Sequence, residues 1–161
     1  MLVMGPERDE ALRRINDLEL SAANEVQALA GALALLRGLD GRPWAVVTSA
    51  TAALASARQQ AAGLPAPPVL ITADDVEAGK PAPDGYRAAA ARLGQPTSTC
   101  VVFEDSDAGV LAAHAAEAGV VVGVNLRSAS SRTWARVADL DSVSCHALVD
   151  GRLRLTVHSP T

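Results

Sequence analysis

Three acids stand close together in Phe103-Glu104-Asp105-Ser106-Asp107-Ala108-Gly109. Clustered carboxylates repel one another unless a cation sits among them. Hard oxygen donors with no His or Cys beside them suit magnesium better than zinc. An acidic helix start favoured by the helix dipole accounts for Asp107, but accounts less well for the adjacent Glu104-Asp105 pair. A lone lysine occupies the loop Gly79-Lys80-Pro81-Ala82-Pro83-Asp84, where the glycine and two prolines constrain its backbone. A stiff loop of this kind can aim one ammonium at a phosphate, although in isolation the match reads as a solvated loop lysine. Asp84 reads as the cap of the helix that follows rather than as a chemical group. Finally, Thr48-Ser49-Ala50 offers a hydroxyl and the backbone N–H groups of a helix start, which together can hold phosphate oxygens. Taken alone, it is an ordinary helix cap.

These three places gain meaning from the elements that carry them. From Trp44 onward the chain repeats one order: a short apolar run, a polar loop, an Ala-rich segment of helical period, a glycine, and another apolar run. That order predicts an α/β fold with a parallel sheet. Strands are expected at 44–47, 69–72, 100–103 and 120–124. Helices are expected at 52–62, 85–93 and 107–118, closed by Gly63, Gly94 and Gly119. Nearly continuous apolar strands suit a sheet covered on both faces. Ligand sites in such sheets lie at the carboxyl ends of the strands, where all three motifs fall. Toward the N-terminus, Val26, Leu29, Leu33 and Leu36 recur at helical spacing within 24–37, after a charged segment at 7–20. Toward the C-terminus, a Ser-rich loop runs to Arg132, and 152–157 alternates like an edge strand.

Hydroxyl, lysine and acidic cluster thus occur in order, each after a successive strand. Through Val46-Val47-Thr48-Ser49, the Gly79–Asp84 loop and the Phe103–Gly109 segment, the chain resembles the haloacid dehalogenase superfamily of phosphatases. Within that superfamily it looks most like the sugar-phosphate and glycerol-phosphate phosphatases, over about residues 31–124. The resemblance implies a Rossmann-like parallel sheet with helices on both faces. It also implies Mg²⁺-dependent hydrolysis of a small phosphorylated sugar or polyol through an aspartyl phosphate. Thr48 would then hydrogen-bond the transferring phosphoryl group, helped by the Ser49 backbone. Lys80 would neutralise charge shared by phosphate and nucleophile. Asp105, with Glu104 beside it, would hold the metal directly or through water, with Ser106 orienting that carboxylate.

The same resemblance implies a nucleophilic aspartate at the end of the family's first strand, with a second aspartate two residues later as general acid and base. Ahead of Trp44 stand Asp9, Asp17 and Asp40, but no apolar strand ending in Asp-x-Asp. The expectation is therefore an N-terminally truncated chain, inactive or nearly so by itself. Residues 1–40 would be the remnant of a cap with its return helix, and residues 41–161 a core lacking its first strand. Its unpaired sheet edge would invite self-association. The alternative is a non-catalytic module that binds phosphate or metal. Val137-Ala138-Asp139-Leu140-Asp141-Ser142-Val143 superficially resembles the missing motif, making Asp139 and Asp141 a long shot for the nucleophile. Arg136 interrupts the strand before it and Ser142 stands where glycine is expected, so the segment reads as a loop and a strand start. His114, His146 and His158 read as packing or surface residues.

Bulk properties are consistent with this picture. The length suits one domain, and a formal charge of −4 with only four aromatic residues argues against nucleic acid as a partner. Residues 1–14 do not read as a signal peptide, because the apolar stretch is too short and charged residues follow at once, and no apolar run reaches membrane length. Cys100 and Cys145 have no metal-type spacing, and together these features point to a reducing, cytoplasmic setting.

Overall fold

The computed structural model describes residues 6–39, 41–126, 132–148 and 153–158. Two helices open the chain, α1 (Pro6–Ser21) and α2 (Ala32–Gly38). The expected alternation follows: β1 (Ala45–Val47), α3 (Ala52–Ala61), β2 (Val69–Ile71), α4 (Asp84–Arg92), β3 (Val101–Glu104), α5 (Asp107–Ala115) and β4 (Val120–Val124). Three further strands complete it: β5 (Ala135–Val137), β6 (Val143–Ala147) and β7 (Leu153–Val157). Short runs of β-branched residues make the strands. Local signals close the helices. The Thr51 side chain accepts a hydrogen bond from the Leu54 N–H at the start of α3, and Gly63 and Gly94, both with positive φ, follow α3 and α4.

β1 and β2 pair in parallel, with Val46 opposite Leu70. β3, β4 and β5 form a second parallel sheet, with Val102 opposite Val121 and Val124 opposite Val137. Alternation along β4 sends its side chains to two cores. Val121 joins Val102 and the α5 residues Val110 and Ala113 on one face. Val122 and Val124 join Val137 and Val143 on the other, where Leu35 of α2 and Leu155 of β7 also pack. The second face is thus covered by α2 together with the antiparallel β6–β7 hairpin. Each buried valine there contributes about 1.5–3 kcal/mol relative to an exposed one. Among the described residues β1 pairs only with β2 and β3 only with β4, so each keeps one unpaired edge. Burial follows suit: β1 is half-buried throughout, whereas four of the five β4 residues are buried.

Four local expectations are corrected. The amphipathic stretch at 24–37 is helical only over Ala32–Gly38, after a short 3₁₀ turn at Ala23–Glu25. Gly31 breaks it with φ of 79°, and a side chain there would collide with the backbone of Leu140 and Asp141. The Leu140 N–H bonds the Ala30 carbonyl at 2.9 Å, so this segment is held by a distant loop instead of by its own helix. Helix α5 ends three residues early, with Glu117 rather than Gly119 adopting positive φ. Asp84 does not cap α4: Pro83 holds that position without a side-chain bond, and Asp84 lies in the first turn. Residues 135–137, read as a poor strand because of Arg136, do form one, since the edge position of β5 tolerates an exposed arginine. The expected edge strand near the C-terminus is β7. Asp40, Arg152 and the Ser-rich stretch at 127–131 lie outside the described residues. Among the described residues no helix is long and apolar enough to cross a membrane.

Candidate active site

The carboxyl ends of β1 and β3 and the loop after β2 meet at a cavity of about 470 Å³. Thr48, Ser49, Lys80, Glu104, Asp105 and Ser106 all line it. The topology thereby gathers every expected site residue from the three motifs. A second cavity of about 270 Å³ opens beside it, sharing Thr48, Ser49 and Lys80 and extending toward Thr72 and Tyr86.

At the first strand end the Thr48 hydroxyl oxygen accepts the Ala50 N–H at 3.1 Å, which turns the chain into α3. The next donors of that helix start are also committed. Ala52 N–H bonds Asp74 Oδ2 at 2.9 Å, and Leu54 N–H bonds Thr51. Fewer helix-start donors thus face the cavity than the sequence suggested, and the exposed Ser49 is the loop position that borders it. In the second loop the Lys80–Pro81 peptide is cis and the Ala82 N–H bonds Gly79 O at 3.0 Å. The Lys80 ammonium donates to the Val47 carbonyl at 3.2 Å and pairs with Glu104 Oε1. One ammonium therefore sits between the ends of β1 and β3.

Glu104 is the hub of the third motif. It is 5% exposed, and a carboxylate so buried persists only when fully bonded. Oε1 accepts from Lys80 Nζ and from the Tyr86 hydroxyl. Oε2 accepts the Asp105 and Ser106 N–H groups at 3.2 and 3.3 Å and the Ser106 hydroxyl at 3.0 Å. Burial by itself pushes the Glu104 carboxyl up, but the hydrogen bonds from Lys80 and Tyr86 and the lysine charge outweigh it and hold the group below the ordinary glutamate range. Tyr86 moves the other way: burial, then the Glu104 charge, push its phenol far above the usual value, so it stays a donor. Ser106 also caps α5, its Oγ accepting the Gly109 N–H at 3.1 Å. The carboxylate rests on that helix at Gly109, where a side-chain carbon would overlap it.

Glu104 and Asp105, the pair expected to hold a metal, are placed differently. Both Glu104 oxygens are bonded within the protein, and Asp105 is the exposed carboxylate at the cavity. Among the described residues no three His, Cys, Asp or Glu side chains gather as a ligand set. Magnesium takes six oxygens in near-octahedral array, and one carboxylate does not make such a site. Asp139 and Asp141 do follow a parallel strand, β5, at the same end of the sheet. It is Leu140 between them that lines the cavity, while Asp139 Oδ1 accepts the Asp141 N–H at 3.1 Å within its own loop. The histidines lie elsewhere: His114 Nε2 contacts the Arg132 carbonyl, and His158 pairs with Ser144 at 3.1 Å.

Two contributors escaped the sequence reading. Gly109 could have been sought from its place in the first turn of a helix, where glycine has poor intrinsic preference. Tyr86 carried no local signal, since its partner lies 18 residues away.

Hexitol phosphatase A of Escherichia coli is 46% identical over 110 residues, covering 67% of this chain and 51% of that protein. Glycerol-1-phosphate phosphohydrolase 2 of Saccharomyces cerevisiae is 38% identical over 101 residues, covering 56% and 40% respectively. The chain therefore spans about half, or less, of the length of these curated relatives. The crystal structure of CbbY from Rhodobacter sphaeroides in complex with phosphate shares the fold, with a TM-score of 0.75 at 24% identity over 87% of this chain and 67% of that one. Residues 5–117 match the family described as haloacid dehalogenase-like hydrolase, and with its three motifs at successive strand ends this chain belongs to that family.

Proposed function

We propose that the chain is the phosphate-gripping part of a phosphatase that hydrolyses small phosphorylated sugars or polyols through an aspartyl phosphate. The observation that carries this reading is the convergence of Thr48, Ser49, Lys80 and Asp105 on one cavity at the strand ends. Hydroxyl and ammonium donors fixed on strand-end loops suit a phosphoryl group, whose charge must be neutralised in the transition state. Thr48 and Ser49 bond its oxygens. Lys80, held between Val47 and Glu104, supplies the positive charge. Glu104 serves that lysine rather than a metal. Mg²⁺ remains the cofactor of the whole enzyme, to which this chain contributes Asp105 alone. The relatives named as hexitol and glycerol-1-phosphate phosphatases support the substrate class.

The nucleophile belongs to a strand between β1 and β3, whose edges, unpaired among the described residues, flank Lys80. On this reading residues 41–161 are a core without its first strand, and residues 1–40 derive from a cap. The chain alone is inactive, and its open edges favour self-association. Free thiols at Cys100 and Cys145 accord with a reducing, cytoplasmic setting. A second reading, a binding module without turnover, draws on the fact that Asp105 and Glu104 are the only carboxylates among the residues lining the cavity.

Calorimetry with inorganic phosphate and turnover of an aryl phosphate in Mg²⁺ test both readings. The expected outcome is phosphate binding that Lys80→Ala abolishes, with no turnover by the chain alone and turnover on adding a peptide strand ending in Asp-x-Asp. Binding without turnover in either case favours the module. Binding that survives Lys80→Ala refutes both.

A further inference from the structure

Lys80 and Tyr86 are the only lysine and the only tyrosine in the chain, and the structure places them on the same carboxylate oxygen. We propose that Tyr86 is a positioning residue for the phosphate site: its hydroxyl fixes Glu104 Oε1, and Glu104 in turn aims the Lys80 ammonium. The inference rests on the phosphate-gripping role proposed for Lys80.

A lysine ammonium on a flexible four-carbon stem directs itself poorly. Its aim depends on acceptors that do not move with it. Val47 O is one such acceptor, held by β1, and lies 3.2 Å from Nζ. Glu104 is the other, and its two oxygens are secured by different means. Oε2 is pinned by Ser106 and by two backbone N–H groups of the α5 start. Among the described residues Oε1 receives only Lys80 and Tyr86. Among these residues Tyr86 is therefore the one group besides the lysine that bonds Oε1 itself, adding a restraint on the side from which the lysine binds. The phenol is well placed for this, because Tyr86 packs against the core cluster of Val102, Val110 and Val121 and sits on α4, a rigid element. Its ring also lies under the ammonium, with Nζ 5.3 Å from the centroid. Burial keeps the hydroxyl protonated and so always a donor. Tyr86 borders the smaller neighbouring cavity but not the 470 Å³ cavity assigned to phosphate, and its hydroxyl bonds Glu104, which separates a positioning role from direct catalysis.

The single lysine and single tyrosine make the test selective. Tyr86→Phe retains the ring, its packing and its contact with the ammonium, and removes the hydroxyl alone. In chain labelled with carbon-13 lysine, the two Hε protons of native Lys80 are expected to be resolved, as in a side chain held in one rotamer. In Tyr86→Phe they merge, and inorganic phosphate binds about tenfold more weakly. A hydroxyl that merely fills space would shift the melting temperature while leaving the lysine signals and the phosphate affinity unchanged, and that outcome overturns the proposal. Should Tyr86→Phe fail to fold, the native chain decides. With carbon-13 at tyrosine Cζ in an equal mixture of H₂O and D₂O, a held hydroxyl gives two resolved lines. One averaged line refutes it. If native chain binds no phosphate, or Lys80→Ala leaves binding unchanged, the phosphatase reading fails, while the Lys80 proton signals still judge Tyr86 independently.

Discussion

Replacing Gly109 by alanine sets two physical rules against each other. Gly109 lies inside α5, where alanine is intrinsically better than glycine by about 1 kcal/mol, so a reading confined to the helix expects stabilisation. In the folded protein the added carbon would occupy the space of the Glu104 carboxylate. That carboxylate cannot step aside freely, because Lys80, Tyr86 and Ser106 hold it from three directions. Overpacking a buried position costs about 1–3 kcal/mol, and each charged hydrogen bond given up costs about 1.5–3 kcal/mol more. Tertiary contact therefore outweighs helix preference, for a net loss of roughly 2–4 kcal/mol. The corresponding fall in Tm is roughly 5–15 °C for a chain of this size. Urea unfolding of native and Gly109→Ala chains measures the loss. Repeating the substitution in a Glu104→Ala background isolates its cause, since the carboxylate that blocks the new carbon is then gone and alanine should be neutral or better. Equal or greater stability of Gly109→Ala in the native background, or the same loss in both backgrounds, refutes the argument.

Two further predictions concern the acids and the helix cap. Ser106→Ala removes the cap on the Gly109 N–H and the hydroxyl donor to Glu104 Oε2 together, so a loss of about 2–3 kcal/mol is expected in urea unfolding, most of it recovered by Ser106→Thr. Asp75 accepts the Thr72 N–H at 2.9 Å, Arg92 at 2.9 Å and the Thr72 hydroxyl at 2.8 Å, which lowers its carboxyl from 3.8 to about 2. A depressed folded value means that the unfolded chain takes up the proton first. The stabilisation is thus fully present above the unfolded value of 3.8 and drains away as pH falls through about 2. Asp75→Asn should remove that dependence, and urea midpoints for the two chains should converge across this window.

Most of the framework was legible before the structure. The apolar runs at 69–72, 100–103 and 120–124 became β2, β3 and β4 to within one residue at either end, because a strand's side-chain period and its bounding turns are local properties. The helix starts at 52 and 107 were equally local, although the cap of α3 is Thr51 and not the Thr48-Ser49 pair read as one, and Ser106 caps α5. The failures share a cause. Val26 and Leu29 fit a helical face, yet Gly31 had to yield to the loop at Leu140 and Asp141, about 110 positions along the chain. Arg136 argued against a strand, yet pairing with β4 made one.

The sequence by itself determined the order of motifs and their placement at strand ends. Thr48, Lys80 and the Glu104-Asp105 pair each follow an apolar run, and parallel topology brings such positions to one edge of the sheet. It could not decide which of the two adjacent acids turns inward. That choice depends on Lys80, 24 positions away, and Tyr86, 18 positions away, reaching the same oxygen, and on Gly109 leaving room for it. Partners so distant in sequence are selected by the packing of α4 and α5 against the sheet, and only the tertiary structure supplies that packing.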